Sequence, residues 1–390
     1  MSRAWSGGGR MHINFIEKRL KELDPLFSQA IDKALSEKDI DEEEALRLLN
    51  AKPNEAFILA QVADHVRELH VGDVVTFVIN RNINFTNECI VRCLFCAYSR
   101  PIGSLEAYTL TVEEIVSKAY EAWRSGATEV CIQGAINPKI TPDYYFDIIK
   151  GIKAKVPEVH IHAFSPQEIY HIATELGVSY REVLKMLKEA GLDSMPGTAA
   201  EILDDEVRRV IAPKKVSTSQ WIEIVKEALS SGIPMTATMM YGHIEDNIHR
   251  VRHLKIIRDL QKEKGGFTEF VLLPFIHYRT RLYREGLSKP GTAWIEDLKV
   301  HATARLFLSR YIDNIQASWV KLGPKMAQMM LNAGANDLGG TLMEENISRE
   351  AGALYGTRMD VIELVNLIKG IGRRPAQRTT TYEILRFFDD

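Results

Sequence analysis

The chain has no apolar run that reaches the ~18 residues a membrane-spanning helix needs. Its opening, MSRAWSGGGR, lacks the apolar stretch of a secretory signal. An excess of one charge is also missing. With 49 basic and 52 acidic side chains the net charge is −3, which gives no electrostatic footprint for nucleic acid. Neither GxGxxG nor GxxxxGK[ST] occurs, so the phosphate-cradling loops of nucleotide-binding open sheets are absent, and so is the zinc-protease HExxH. Four cysteines in 390 residues are too few for a disulfide scaffold. A composition 45% hydrophobic and 26% charged excludes a disordered or collagen-like chain. The expected setting is the cytoplasm, with neither membrane nor nucleic acid as partner.

What is present is a regular alternation. Residues 1–10 read as a flexible leader, with Met11 as an alternative start. From Phe15 to His70 the text is helical, and Asp41-Glu42-Glu43-Glu44 suits a helix N-terminus. Then come short β-branched or apolar runs at 74–80, 129–134, 159–164, 192–197, 234–242, 268–275, 313–319 and 332–340, separated by amphipathic helical stretches. Eight such units in about 270 residues predict an α/β fold, a (β/α)8 TIM-type barrel with an N-terminal helical extension. The division is 1–10 leader, 11–70 helical extension, 71–345 barrel, and 346–390 a C-terminal helical segment and tail packed on the barrel. Chemistry is then expected at the C-terminal ends of the strands.

Three of the four cysteines, Cys89, Cys93 and Cys96, fall within eight positions just after the first strand. CxxxCxxC offers three thiolates from one loop, enough for a [4Fe–4S] cluster with one iron left open. An open iron can be chelated by the amino and carboxylate groups of S-adenosylmethionine, a cofactor of radical chemistry. The other reading is structural zinc, which normally takes two CxxC-like knuckles. Cys131, 35 positions beyond Cys96, is expected in the core.

CxxxCxFC on the loop after the first barrel strand resembles the signature of the radical S-adenosylmethionine superfamily. HIHAFSPQEI (160–169), DSMPGTAAEILDDEVR (193–208), TATMMYGHIE (236–245), GGFTEFVLLPF (265–275), NIQASWVKLG (314–323) and GANDLGGTLMEENISR (334–349) narrow the resemblance to the family of the second FO synthase component, from about residue 70 to Tyr382. That resemblance implies radical cleavage of the Cα–Cβ bond of L-tyrosine. The 4-hydroxybenzyl group passes to 5-amino-6-(D-ribitylamino)uracil, releasing 2-iminoacetate, methionine and 5′-deoxyadenosine. It also implies an external electron donor and a companion enzyme, the first FO synthase component, which closes the deazaflavin ring. Aminofutalosine synthase and dehypoxanthine futalosine cyclase of menaquinone biosynthesis share the cluster motif and stand as the alternative; a zinc-bearing binding protein is the distant one.

The family pattern implies cofactor contacts at Tyr98, over the adenine, and at Gln133 and Gly134, which end the second strand. Each is also readable as an ordinary loop or turn residue. Ser165 could reach a ribose hydroxyl, and equally caps the helix begun by Pro166. Glu201 and Arg208, seven apart, would share one helix face aimed at the zwitterionic end of the cofactor. For substrate, His162, nearer the C-terminal end of its strand, is preferred to His160, and a satisfied core histidine is the other reading. Thr238, Tyr241 and His243 crowd the end of the fifth strand, where His243 could simply cap a turn. Asn336 and Asp337, following the eighth strand, could bind the uracil or ribityl chain, whereas Glu344 and Glu345 suit a helix dipole. His249 and His253, i and i+4 among basic neighbours, read as a solvated face rather than a zinc site. The basic segment 372–384 is expected to cover the barrel or pair with surface carboxylates.

Overall fold

The computed structural model describes residues 23–389; the leader 1–10 and the start of the helical extension lie outside them. Ten strands follow in order: β1 (Val74–Val78), β2 (Asn80–Asn84), β3 (Glu129–Gln133), β4 (His160–Ala163), β5 (Met235–Tyr241), β6 (Phe267–Pro274), β7 (Ile315–Ala317), β8 (Asp337–Gly340), β9 (Arg374–Arg378) and β10 (Ile384–Phe387). Parallel pairing runs β2–β3–β4 and β5–β6–β7–β8–β1, and β1 continues into β2 across Ile79. The remaining gap, between β4 and β5, is closed by bridges from His162 to Ser194 and from Met195 to Met235. The ring therefore has eight positions, as a (β/α)8 barrel requires.

The fourth position is shorter than the sequence pattern suggests. Ser194 and Met195 bond to both neighbours, Ala163 N to Ser194 O at 3.0 Å and Thr236 N to Met195 O at 3.1 Å. Pro196 then ends the ladder, because it has no N–H to donate. Gly197 passes so close to β5 that a Cβ there would sit 2.0 Å from the Thr236 carbonyl oxygen, an approach that only glycine permits.

The helices Pro25–Leu35, Glu42–Leu49 and Pro53–Val71 form the extension, which packs mainly on the barrel helix Trp294–Leu308. Asp41 caps the second of them reciprocally with Glu44. None of the described helices is long and apolar enough to cross a membrane.

The C-terminal segment contains strands that the sequence pattern does not announce. β9 runs parallel to β1 from Val74↔Arg374 to Phe77↔Gln377, and β10 returns antiparallel beside it. Arg373 pairs with the partly exposed Asp64 and the exposed Asp73, as expected of a basic tail. Arg378 instead turns inward, 2.6 Å from the fully buried Asp337. The tail thus forms the base of the barrel.

Candidate active site

One cavity of about 410 Å³ occupies the barrel interior and includes the cysteine loop in its wall. Strand alternation decides which residues line it. Asn80, Asn82 and Asn84 of β2 do so, as do Glu129, Cys131 and Gln133 of β3 and Thr236, Thr238 and Met240 of β5. Each set is spaced by two, and intervening residues such as Ile83, Val130 and Ala237 are buried in the core.

Cys89, Cys93 and Cys96, on the loop after β2, all line this cavity. Their loop is fixed by Cys89 N to Arg100 O at 3.0 Å, Leu94 N to Ile211 O at 2.8 Å and Cys96 N to Cys93 O at 3.1 Å. Burial pushes the Cys93 thiol up to about 12, Lys215 pulls against it, and Glu201, Cys96 and Cys89 add smaller pushes. Burial raises Cys96 in the same way. Such thiols stay protonated alone, and a coordinated metal deprotonates them outright. Three thiols from one loop, with the fourth cysteine placed apart on β3, fit a [4Fe–4S] cluster with an open iron. Cys131 is not the core residue expected. It is half-buried and faces the cavity, because it shares the inward phase of β3 with Glu129 and Gln133.

Tyr98 lines the cavity, its hydroxyl 2.6 Å from that of Tyr108 and 3.1 Å from the Thr86 carbonyl. Gln133 and Gly134 also line it, but the space a Gly134 Cβ would take is filled by the Phe85 ring, 2.2 Å away. Gly134 N donates to Glu168 Oε1 at 3.0 Å. Ser165 caps the helix Pro166–Leu176 and also faces the cavity; its N and Oγ donate to Glu168 Oε2 at 2.6 and 2.7 Å. Burial drives the Glu168 carboxyl up to about 7 against these bonds.

Glu201 and Arg208 do not share a helix face. Glu201 lines the cavity from a turn at φ 41°, ahead of the helix Asp205–Ile211 that carries Arg208. The Arg208 guanidinium donates to the carbonyls of Ala199, Ala200 and Val216 and is not part of the cavity wall. It fastens the loop, 3.5 Å from Glu201. The cation that joins Glu201 at the wall is Lys215, at 2.5 Å, with its ammonium over the Phe95 ring.

His162 lines the cavity, with Nδ1 2.7 Å from Ser194 Oγ, while His160 bonds the same hydroxyl from outside the wall. Burial lowers His162 to about 4, so the ring is neutral near pH 7. Thr238 faces inward and donates to Gly197 O at 2.9 Å. Tyr241 and His243 lie outside the wall. Tyr241 has the outward phase of β5, and its hydroxyl donates to Asp297 at 2.8 Å. His243 is fully buried in the following turn, where its Nδ1 accepts from Ile244 N at 2.8 Å beside Glu245. Its role there is to cap the turn.

Asn336 and Asp337 are also absent from the cavity wall. The eighth strand is Asp337–Gly340, so these residues open it instead of following it. Asn336 accepts from Arg305 at 2.7 Å and Ile315 N at 2.8 Å, and Asp337 from Arg378 and Thr76. Glu345 does line the cavity, accepting from Asn82 at 2.5 Å and capping Asn346–Ala351, whereas Glu344 pairs with Arg81 and Lys118. His253 is not on a solvated face. It is fully buried, and its Nδ1 accepts from Leu203 N at 3.0 Å.

The sequence reasoning misses Lys215, Glu168, Lys321 and the inward asparagines Asn82 and Asn84 of β2, all of which line the cavity. For the asparagines a signal exists, in the alternation of Asn80-Arg81-Asn82-Ile83-Asn84.

Two family models divide the chain: the radical SAM superfamily matches residues 83–257 and the CofH/MqnC C-terminal region residues 264–389. A solved methylornithine synthase shares the fold, with a TM-score of 0.71 at 20% identity, covering 89% of this chain and 97% of that one. The FO synthase of Mycobacterium tuberculosis is 53% identical over 84% of this chain, which spans only 38% of that longer protein. A protein of Methanocaldococcus jannaschii named 5-amino-6-(D-ribitylamino)uracil–L-tyrosine 4-hydroxyphenyl transferase is 53% identical over 353 residues, 90% of this chain and 98% of the relative. At that identity and coverage, the chain belongs to the 5-amino-6-(D-ribitylamino)uracil–L-tyrosine 4-hydroxyphenyl transferase family of the radical SAM superfamily.

Proposed function

We propose that this protein breaks the Cα–Cβ bond of L-tyrosine and transfers the 4-hydroxybenzyl group to 5-amino-6-(D-ribitylamino)uracil. The products besides the adduct are 2-iminoacetate, methionine and 5′-deoxyadenosine, and the adduct goes on to the deazaflavin FO. The observation that carries this reading is the 53% identity to the Methanocaldococcus jannaschii transferase over 98% of its length. Cys89, Cys93 and Cys96 would hold a [4Fe–4S] cluster, which together with S-adenosylmethionine would supply the radical chemistry.

The chain's own residues bind, orient and exclude water. Val91, Phe95, Ile136 and Phe275 contribute apolar wall, which keeps water from a reactive benzylic fragment. Lys321, and Lys215 with its partner Glu201, offer charged groups to the carboxylate and ammonium of cofactor or amino acid. His162, held neutral by burial, offers a ring nitrogen for a hydrogen bond to a substrate in the interior. In this reading the protein works in the cytoplasm with an external electron donor, and hands its product to an enzyme of the first FO synthase component's type.

The C-terminal family model joins CofH-type and MqnC-type proteins in its description, so the acceptor is the point to test. Offered ribityldiaminouracil and an enolpyruvyl benzoate derivative separately, the reconstituted protein should turn over only the first. Turnover confined to the second would overturn this reading in favour of the menaquinone relatives.

A further inference from the structure

The cavity wall carries charged groups at both ends. Beside the cysteines stand the ammonium groups of Lys215 and Lys321, with the Glu201 carboxylate 2.5 Å from Lys215. At the base stand Glu129, the first residue of β3, and Glu269, near the start of β6, together with Arg378 and Thr380 from the C-terminal hairpin. Glu129 accepts from Asn80 Nδ2 at 2.8 Å and from Thr380 Oγ1 at 2.7 Å. Glu269 accepts from the Tyr382 hydroxyl at 2.6 Å and lies 3.5 Å from Arg378. Arg378 makes its shorter bonds, 2.6 and 3.1 Å, to Asp337, which is not part of the wall.

Two carboxyl groups thus face the base of the cavity beside one guanidinium, and that cation is engaged mainly by a third carboxylate outside it. The base keeps an excess of acceptors. Such a surface favours hydroxyl and amine donors and repels a carboxylate. L-Tyrosine carries its ammonium and carboxylate on one carbon, which Lys215, Lys321 and Glu201 beside the cysteines suit, and its other end could offer the base a single phenol hydroxyl. The uracil acceptor is uncharged and ends in a chain of hydroxyls.

Resting on the functional reading above, we propose that the base formed by Glu129, Glu269, His162, Arg378 and Thr380 is the subsite for the acceptor's polyhydroxylated side chain. The C-terminal hairpin is then part of the substrate site. Its Thr380 orients Glu129 and so sets which acceptor chain the cavity takes.

The test compares ribityldiaminouracil with the same uracil carrying a 2-hydroxyethyl group in place of ribityl, in wild type, Thr380→Val and Glu129→Gln. Glu129→Gln, which removes the charge from an acceptor of the chain's hydroxyls, should raise KM for the full acceptor about tenfold. Thr380→Val, which acts only by releasing Glu129, should raise it by less. KM for L-tyrosine should stay within about twofold, and the shortened acceptor should not distinguish the variants from wild type, because the interaction it lacks is the one removed. Iron content and thermal unfolding of each variant separate these effects from misfolding. Equal losses with both acceptors, or a rise in KM for tyrosine instead, would overturn the subsite assignment while leaving the reaction intact. A wild-type protein that forms no hydroxybenzyl adduct at all would overturn the functional reading, and the subsite with it.

Discussion

Cys93→Ala protein is expected to fold, to bind less iron after reconstitution, and to yield almost no 5′-deoxyadenosine from S-adenosylmethionine. Cys93 is buried beside Cys89 and Cys96 at the cavity wall, and its thiol makes no protein hydrogen bond among the described residues that a methyl group would break. The structural cost of the change is therefore small. The chemical cost is large, because two thiolates cannot hold a cluster that three hold with one iron open. Even residues that merely support metal ligands command about 10–100-fold in affinity or activity, so loss of a ligand should exceed that range. Circular dichroism, iron and sulfide analysis and product chromatography on one preparation decide it. Full iron content with retained cofactor cleavage would mean that the ligand set is wrong.

The second large effect belongs to the base of the barrel. Arg378→Met should destabilise the protein by about 3–5 kcal/mol, the range for breaking a buried ion pair by removing one partner. Asp337 would stay buried without its counter-ion, keeping Thr76 and the Gly339 amide as its donors among the described residues. Adding Asp337→Asn should recover part of the loss, since the stranded charge is then gone; this double-mutant cycle isolates the coupling. Urea unfolding of the four proteins measures it. A single-variant loss below about 1 kcal/mol, the level of an exposed pair, would show that the hairpin does not seal the barrel as described.

These two effects also mark what a sequence can and cannot disclose. The cysteine trio is legible because its members fall within eight positions on one loop, where spacing and geometry are nearly the same thing. The barrel is legible because strand and helix periods alternate regularly. The base is not. Arg378 meets Asp337 across 41 positions and Glu269 across 109, and no local pattern carries such pairings. The basic tail therefore reads as a cover for the barrel or a partner of surface carboxylates, with no sign of the buried pair, and Asp337 reads as a substrate ligand.

His253 misleads in a related way. Basic neighbours suggest solvent, yet Arg250 and Arg258 on the same helix are buried too. Arg250 pairs with Glu245 and Glu296, and Arg258 donates to Ile40 O and lies over the Phe307 ring. Long cationic side chains can be buried wherever tertiary partners satisfy them. Tyr241 and His243 are misplaced by a narrower error. Strand phase puts Thr236, Thr238 and Met240 inward, and the residues that crowd the strand end do not all share that phase.

The most direct test of the proposed chemistry uses isotope-labelled L-tyrosine with ribityldiaminouracil, S-adenosylmethionine and a reductant, under anaerobic conditions, on protein shown to hold its full iron and sulfide. Mass spectrometry follows the label. The expected result is a hydroxybenzyl adduct of the uracil that carries the ring and Cβ of tyrosine, with Cα released in 2-iminoacetate or its hydrolysis product and 5′-deoxyadenosine formed alongside. Intact labelled tyrosine and no adduct, from a cluster-bearing protein that still cleaves S-adenosylmethionine, would contradict it.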